Sequence, residues 1–562
     1  MKSINMLLMA LLLVFTACYD DEGNYDYKTI SKIEIEPGEE DVTSYILGET
    51  MELNPVVTIV GENQDMELAY KWTWEDVEIG NEPTLKYELK EMPEKPAASY
   101  LYFDVTDVAT GVSYRYQYSI SVSYKYDSAD FMLLSRKNGK VDISTFVVSK
   151  TNDETGLPEE YKINTELNSL ENPDMPLATD AFMLTEHFAY VNPETVREEM
   201  ILSPTGIQFL DGKLLTADTK TTLESMFWEK RLPAGFTSVK DAQFMKYYQM
   251  LFDQDGRMYS RIRSTYTFFQ SEYFLAEPVA MEGEDEPLSG LQTIPNFPWG
   301  AMECGYLYDS NKKRVLLVWD MQDDFYENFS VGKIETLTSK LSDNRWPAAT
   351  EECPYPKIED MLQHYEVLHI AGYKPDGWGS LCGLSILVRD AAGELYIYSV
   401  EMEREFGAPK IAFVSDYETN EVKVGWKHIT GNSAALFQDP NSVIYALPTT
   451  ASRTGNARYC TLVANGNNLY VCNRAVSNPE LKLITSFASP IRCMDARNYQ
   501  CKVLGVACDD GSFHALSLDG ITDDPSKDWG GVLWRTPADV NLGTPITLIY
   551  RDYPSNFDLN WQ

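Results

Sequence analysis

Positive charge is scarce in this sequence. Against 85 Asp and Glu stand 47 Lys and Arg, a formal net charge of −38 over 562 residues. With no basic stripe and so large an acidic excess, phosphate backbones would be repelled, which excludes a nucleic-acid partner. A polybasic membrane contact is excluded on the same ground. Histidine is also rare, with five residues, His187, His364, His369, His428 and His514. None forms H-E-x-x-H, and His364 and His369 are one residue off a shared helical face. His514, in "SFHALS", reads as a packed, hydrogen-bonded imidazole. There is no G-x-S-x-G and no G-x-x-x-x-G-K. C-x-x-C is absent too, so zinc and thioredoxin-type sites lack support. "DQDG" (Asp253 to Gly256) and "DDPSKD" (Asp523 to Asp528) carry oxygen ligands but not the D-x-D-x-D-G spacing of a calcium loop, and the first reads more simply as a hairpin turn. No catalytic residue, metal or cofactor is therefore expected.

Long apolar runs are missing as well, except at the start. "MLLMALLLVF", Met6 to Phe15, follows Lys2. It is about half the roughly 20 residues a membrane-crossing helix needs, so it reads as a removable export signal. Thr16 and Ala17 precede Cys18, and the arrangement resembles a bacterial lipobox, although Phe15 departs from the usual aliphatic residue. The resemblance implies that Cys18 is lipidated and becomes the first residue of the mature chain. Asp20, Asp21 and Glu22 follow at once. That acidic cluster resembles the surface-export signal of Bacteroidota lipoproteins, which implies an outer-membrane protein facing the cell exterior on a short polar tether. Expected segments are a signal peptide (1–17) and a tether (18–27).

The remaining sequence is rich in strand formers. Tyrosine numbers 35 and aromatics make up 12%, as in many β proteins. Residues 28–126 carry short alternating runs such as "ELAYKWTWE", "ASYLYFDVTD" and "SYRYQYSISVSYKY". Tyr70, Trp72 and Trp74 share one strand face, as do Tyr114, Tyr116 and Tyr118. About 100 residues with this strand spacing and an inward Trp suit an immunoglobulin-like sandwich. The Tyr-x-Trp of Tyr70 and Trp72, with the block from Val105 to Val122, resembles the PKD-like domains of Bacteroidota surface lipoproteins. Their usual Gly-Asp-Gly turn is replaced by "EDVEIG". The resemblance continues into "DFMLLSRKNGKVDIS", Asp130 to Ser144. Such a sandwich serves most simply as a spacer.

From 127 to 562 one device recurs: apolar strand, Asp/Asn/Gly turn, apolar strand. The turns centre near Gly139, Gly212, Gly256, Lys312, Gly393, Asn441, Asn467 and Gly511, about fifty residues apart on average, a blade-like spacing. The fold expected overall is therefore all-β, the sandwich followed by a β-propeller-like domain of about seven blades, with six or eight open. A large two-sheet assembly is the alternative. Neither aspartate-box nor kelch signatures occur, and "LVWD" occurs once. Helices are expected at "NPETVREEM", with Asn192 as cap, and at "IEDMLQHY". Eight of the nine cysteines lie between Cys304 and Cys508. Cys460 and Cys472 flank "NGNN" and could either bridge a hairpin or remain two buried thiols.

Four of the tryptophans with Pro or Gly neighbours read as lying in loops: Trp299, Trp346, Trp378 and Trp529. An exposed indole there suits a sugar ring or a peptide side chain; each could equally plug a blade. The PKD-like resemblance implies an accessory surface lipoprotein of a Sus-type nutrient-uptake locus, beside a TonB-dependent porin and a SusD-like lipoprotein. The leading expectation is a non-catalytic protein that binds a glycan or peptide for import. A propeller-type surface hydrolase or lyase, and a ligand-free structural subunit of the transporter, are the alternatives.

Overall fold

A computed structural model describes residues 31–39, 41–61, 64–96, 98–191, 194–245, 247–262, 273–294, 303–323, 328–373, 381–405, 408–447, 459–496, 502–518 and 531–551. It is an all-β chain divided into two compact units, Met1–Lys125 and Tyr126–Gln562.

The first unit is built on a five-stranded sheet in the order Ser44–Ile46, Ser113–Ser123, Ser99–Asp107, Leu68–Trp74, Val77–Gly80. Lys32–Glu36 pairs with Val56–Val60, and Thr50–Leu53 with Leu85–Glu88. Alternation along the strands gives all three sheets one apolar core, in which Ile33, Met51, Leu53 and Leu85 join Trp72, Trp74, Phe103, Val105 and Ile120. Trp72 stacks on Phe103, ring centroids 4.2 Å apart, and its Nε1–H donates to the Glu82 carbonyl at 2.8 Å. Where the sequence departs from Gly-Asp-Gly, Trp74 pairs with Val77 across a two-residue turn. Both turn residues, Glu75 (φ 47°) and Asp76 (φ 64°), are held in the left-handed region, as a type I′ turn requires.

The second unit contains, among the described residues, seven antiparallel sheets of three to five strands and one two-stranded pairing, Gln322–Asp323 with Asn328–Phe329. Sheet I holds Phe131–Lys137, Lys140–Thr151 and Pro158–Asn164. Sheet II spans 183–211, sheet III 239–262, sheet IV 291–336, sheet V 366–429, sheet VI 443–486 and sheet VII 491–535. Each continues the chain as a meander, with two exceptions: in sheet V both Ile411–Phe413 and Val424–Ile429 pair with Leu395–Arg404, and the fourth strand of sheet I is Thr544–Tyr550, which pairs antiparallel with Phe131–Lys137.

Because strand side chains alternate between faces, each sheet feeds two apolar clusters. On Phe131–Lys137, Met132 and Leu134 pack with Leu184 and Ile201 of sheet II, whereas Phe131 and Leu133 pack with Val503, Ala507 and Phe513 of sheet VII. Clusters join II to III, III to IV, IV to V, V to VI and VI to VII in turn. The run of shared cores thus returns to its start. Arg551, directly after the last strand, is fully buried. It donates to the carbonyls of Tyr126 and Gly212, to Glu186 Oε1 at 3.2 Å and to Glu199 Oε1 at 2.9 Å.

Two local expectations are overturned. Of "NPETVREEM", Asn192, the expected cap, and Pro193 lie outside the described residues, and the rest is not helical: Glu194–Ser203 is the central strand of sheet II, paired on both sides, so tertiary pairing outweighs local propensity. The apolar run before Asn441 is a helix, Gly431–Gln438, and not the first arm of a hairpin. The helix at "IEDMLQHY" is present as Ile358–His364. A short helix at Leu167–Glu171 had no sequence signal.

Two outcomes follow from this packing. Asp76→Gly, which removes a side chain from a left-handed residue, should raise the urea stability of the first unit by roughly 1 kcal/mol; no gain would mean the turn is not held as described. Arg551→Ala takes the one cation from buried Glu199 and leaves Glu186 with Arg197 alone, and should cost the second unit about 3–5 kcal/mol in denaturant unfolding; a change below 1 kcal/mol would contradict this role of Arg551.

Candidate functional site

The best-built polar site among the described residues lies where sheets V and VI meet. Tyr373, Gly383 and Glu401 stand in one row across three neighbouring strands of sheet V. Gly383 leaves the row open: a Cβ there would fall 2.1 Å from Tyr373 Cζ. The buried Tyr373 ring therefore lies across the glycine, and its hydroxyl donates to Glu401 Oε1 at 3.3 Å. Tyr459, just before strand Cys460–Asn465 of sheet VI, donates to the same oxygen at 3.4 Å. The two phenol rings are 6.1 Å apart.

Arg474 organises this pair. It is buried, its Cζ lies 4.6 Å from the Tyr373 ring centroid, and its backbone N–H and Nε–H both donate to the Tyr459 carbonyl, at 2.8 and 3.0 Å. A cation over an aromatic face is favourable when desolvated. Burial pushes the Tyr373 phenol above its ordinary range, so it stays a donor. Burial, and secondly the Arg474 charge, push His369 down to about 4, so its imidazole is neutral at pH 7. The result is a half-buried carboxylate facing two phenol donors, with a guanidinium and a neutral imidazole behind them. Such a set suits a ligand rich in hydroxyl or amide groups.

Of the tryptophans expected to line a site, Trp299, Trp378 and Trp529 fall outside the described residues. In sequence they lie between Leu291–Thr293 and Cys304–Asp309, between Glu366–Tyr373 and Leu381–Arg389, and between Phe513–Ser517 and Val532–Arg535. Trp346 is half-buried, with its ring edge-on to Phe413 at 4.9 Å and packed against the core shared by sheets IV and V. Cys18 and the Asp523–Asp528 stretch also lie outside the described residues.

One exposed indole lacked the loop signal. Trp228 is 66% exposed, at 5.9 Å and near a right angle to Tyr273. Its backbone N–H donates to the Phe274 carbonyl, and Phe274 N–H donates to the Met226 carbonyl. Phe227 turns into the core beside it. Two successive aromatics followed by "EKR" was the available signal: one faces in, the other out.

"DQDG" is occupied by an arginine. Asp253 is buried, accepts from the backbone N–H groups of Asp255 and Arg257, and takes Arg257 Nε at 2.8 Å, the work of a hairpin turn. Among the described residues no group of three or more His, Cys, Asp or Glu is arranged to hold a metal. Cys460 and Cys472 are separate thiols. Cys460 pairs in register with Asn473, and Cys472 with Thr461, so the two sulfurs point to opposite faces and enter different cores. His514 is pushed down by burial and lies 3.1 Å from Ser512 Oγ.

Gly383→Ala should displace the Tyr373 ring and cost about 1–3 kcal/mol in thermal unfolding. An unchanged transition would show that the ring does not lie over the glycine.

Among solved structures, apo AztD from Citrobacter koseri aligns at TM-score 0.34 and 10% identity over 86% of this chain and 98% of its own. A functionally unknown protein from Desulfotomaculum acetoxidans DSM 771 aligns at 0.33 and 13%, covering 75% and 100%. Saccharomyces cerevisiae Sqt1 aligns at 0.34 and 11%, covering 66% and 81%. No curated protein matches the chain. Residues 18–172, a stretch running from Cys18 through the three N-terminal strands of sheet I, match the PKD-like family.

Proposed function

We propose that this protein is a lipid-anchored lipoprotein of the outer membrane, facing the cell exterior, that binds a glycan or peptide as the accessory component of a Sus-type uptake system. Its lipid would be carried by Cys18, and its partners would be a TonB-dependent porin and a SusD-like lipoprotein. The anchoring and location rest on the sequence resemblances at Cys18 and the acids after it; the match over residues 18–172 supports the PKD-like resemblance alone. The observation that carries the binding role is the convergence of the Tyr373 and Tyr459 hydroxyls on Glu401 between two sheets, with Arg474 over the Tyr373 ring.

The second unit is read as a seven-bladed propeller, one blade per sheet. Support comes from the cycle of shared cores and from the last strand completing sheet I. In an antiparallel meander the first-to-second and third-to-fourth connections open at the same end of the sheet. Trp299, Trp378 and Trp529 fall in connections of these two kinds, and Tyr373 and Tyr459 border two of the first-to-second connections. A binding face at that end would combine indoles with the Glu401 group, an arrangement suited to stacking on sugar rings or side chains while meeting their hydroxyl or amide groups.

The test is retention of soluble protein starting near Lys28 on a panel of polysaccharides and peptide digests, with product release read from the same tubes. Wild type should retain one class with the ligand intact. Glu401→Gln and Tyr459→Phe should weaken that retention roughly ten- to hundredfold, the scale of a hydrogen bond to a charged group. Release of smaller products would identify an enzyme. Full retention by both variants would remove the Glu401 group from the site, and no retention on any ligand would favour a docking subunit of the transporter.

A further inference from the structure

Two carboxyl groups meet inside the closure of the second unit. Glu186, on strand Met183–Val191, and Glu199, on strand Glu194–Ser203, belong to neighbouring strands of sheet II. Glu199 is fully buried. The two are direct cross-strand partners, so their carboxyl groups stand side by side on one face of the sheet, and two such groups can bond to each other only with a proton on one of them.

The surrounding groups fix which partner holds it. Glu186 Oε1 receives two guanidinium groups, Arg197 Nε at 2.6 Å and Arg551 Nε at 3.2 Å. Glu199 receives one, Arg551 Nη2 at 2.9 Å on Oε1, and no donor among the described residues reaches its Oε2. An ionised, fully buried oxygen with no donor would be costly; an oxygen that carries the proton and donates to Glu186 is not. The charge count agrees. Arg197 and Arg551 face Glu186, Glu199 and Asp127, the last at 3.2 Å from Arg197. Two cations balance two anions only if one acid is neutral. Glu198 and His187 alternate to the other side of the sheet and pair with each other at 3.3 Å.

The geometry points to Glu199 as an acid that is protonated at neutral pH and whose proton joins Glu186, Arg551 and the last strand into one closed network, so that closure of the second unit takes up a proton. Burial, with Glu186 second, holds Glu199 well above the ordinary carboxylate range. The sign follows. The unfolded chain releases this proton above the ordinary Glu value while the folded chain keeps it. The contribution is therefore complete below the unfolded value and is lost as pH rises through the raised folded value. The unfolding constant should climb by up to about tenfold per pH unit while only the folded chain holds the proton.

The experiment is denaturant unfolding of the full soluble chain from pH 6 to 9, for wild type, Glu199→Gln and Glu186→Gln, with infrared difference spectra of wild type against Glu199→Gln. Glutamine reproduces the neutral donor, so Glu199→Gln should fold, match wild type near pH 6 and lose part of the alkaline decline. The difference spectrum at pH 7 should show one protonated-carboxyl band lost. Glu186→Gln removes the anion both arginines need and should destabilise at every pH. Failure of Glu199→Gln to fold, a pH slope as steep as wild type, or no protonated-carboxyl band would each overturn the assignment.

Discussion

The second unit depends on the return of the chain to its own beginning. Sheet I is left with three strands until Thr544–Tyr550 arrives beside Phe131–Lys137. That single pairing completes a sheet whose partner strands lie about four hundred residues upstream. It covers the hydrogen-bonding edge of Phe131–Lys137, an edge that would otherwise invite pairing with another chain. It also brings Leu548 into the core that sheets I and VII share, and Ile546 and Ile549 against the one shared by sheets I and II. Arg551 then fastens the end of the strand to Tyr126, where the unit starts, and to sheet II. A network of this kind contributes little to stability beyond what apolar residues of equal volume would give. It favours one register, because the Arg551 guanidinium must meet Tyr126, Gly212, Glu186 and Glu199 together.

From that constraint the alternation of side chains propagates around the unit. In sheet VI, Leu462 and Ala464 face sheet VII while Val463 faces sheet V. In sheet V, Leu384 and Ile386 face sheet IV while Leu387 faces sheet VI. A one-residue slip in any strand would send each of these to the wrong neighbour. The same rule separates Cys460 from Cys472 and places Tyr373 over Gly383. Register thus decides at once which thiols stay apart and which polar groups converge.

Much of the β architecture could be read from the residues, because turn chemistry is local. Six of the eight turn centres join paired strands of one sheet each, Gly139, Gly256, Lys312, Gly393, Asn467 and Gly511 in sheets I, III, IV, V, VI and VII, while a seventh, Gly212, directly follows the last strand of sheet II and no strand follows it before Val239. The eighth, Asn441, follows a helix, since a short apolar run such as "AALFQ" does not by itself distinguish helix from strand. "NPETVREEM" misled for a related reason: Asn and Pro mark the start of a helix as well as a turn. The Glu401 group was not legible at all. Tyr373, Gly383, Glu401, Tyr459 and Arg474 span about a hundred residues of sequence and meet only through strand register. Trp346 had the neighbours of a loop residue yet packs its ring on Phe413, whereas Trp228, with no Pro or Gly beside it, presents an exposed ring.

Closure is most directly tested by native-state hydrogen exchange on the soluble chain, comparing the amides of Thr544–Tyr550 with those of Phe131–Lys137 and Val503–Cys508. If the last strand completes the unit, its hydrogen-bonded amides should exchange only through global unfolding, with the same denaturant dependence as the other two strands. Exchange of Thr544–Tyr550 through a separate low-energy opening, while the other sheets stay protected, would contradict it.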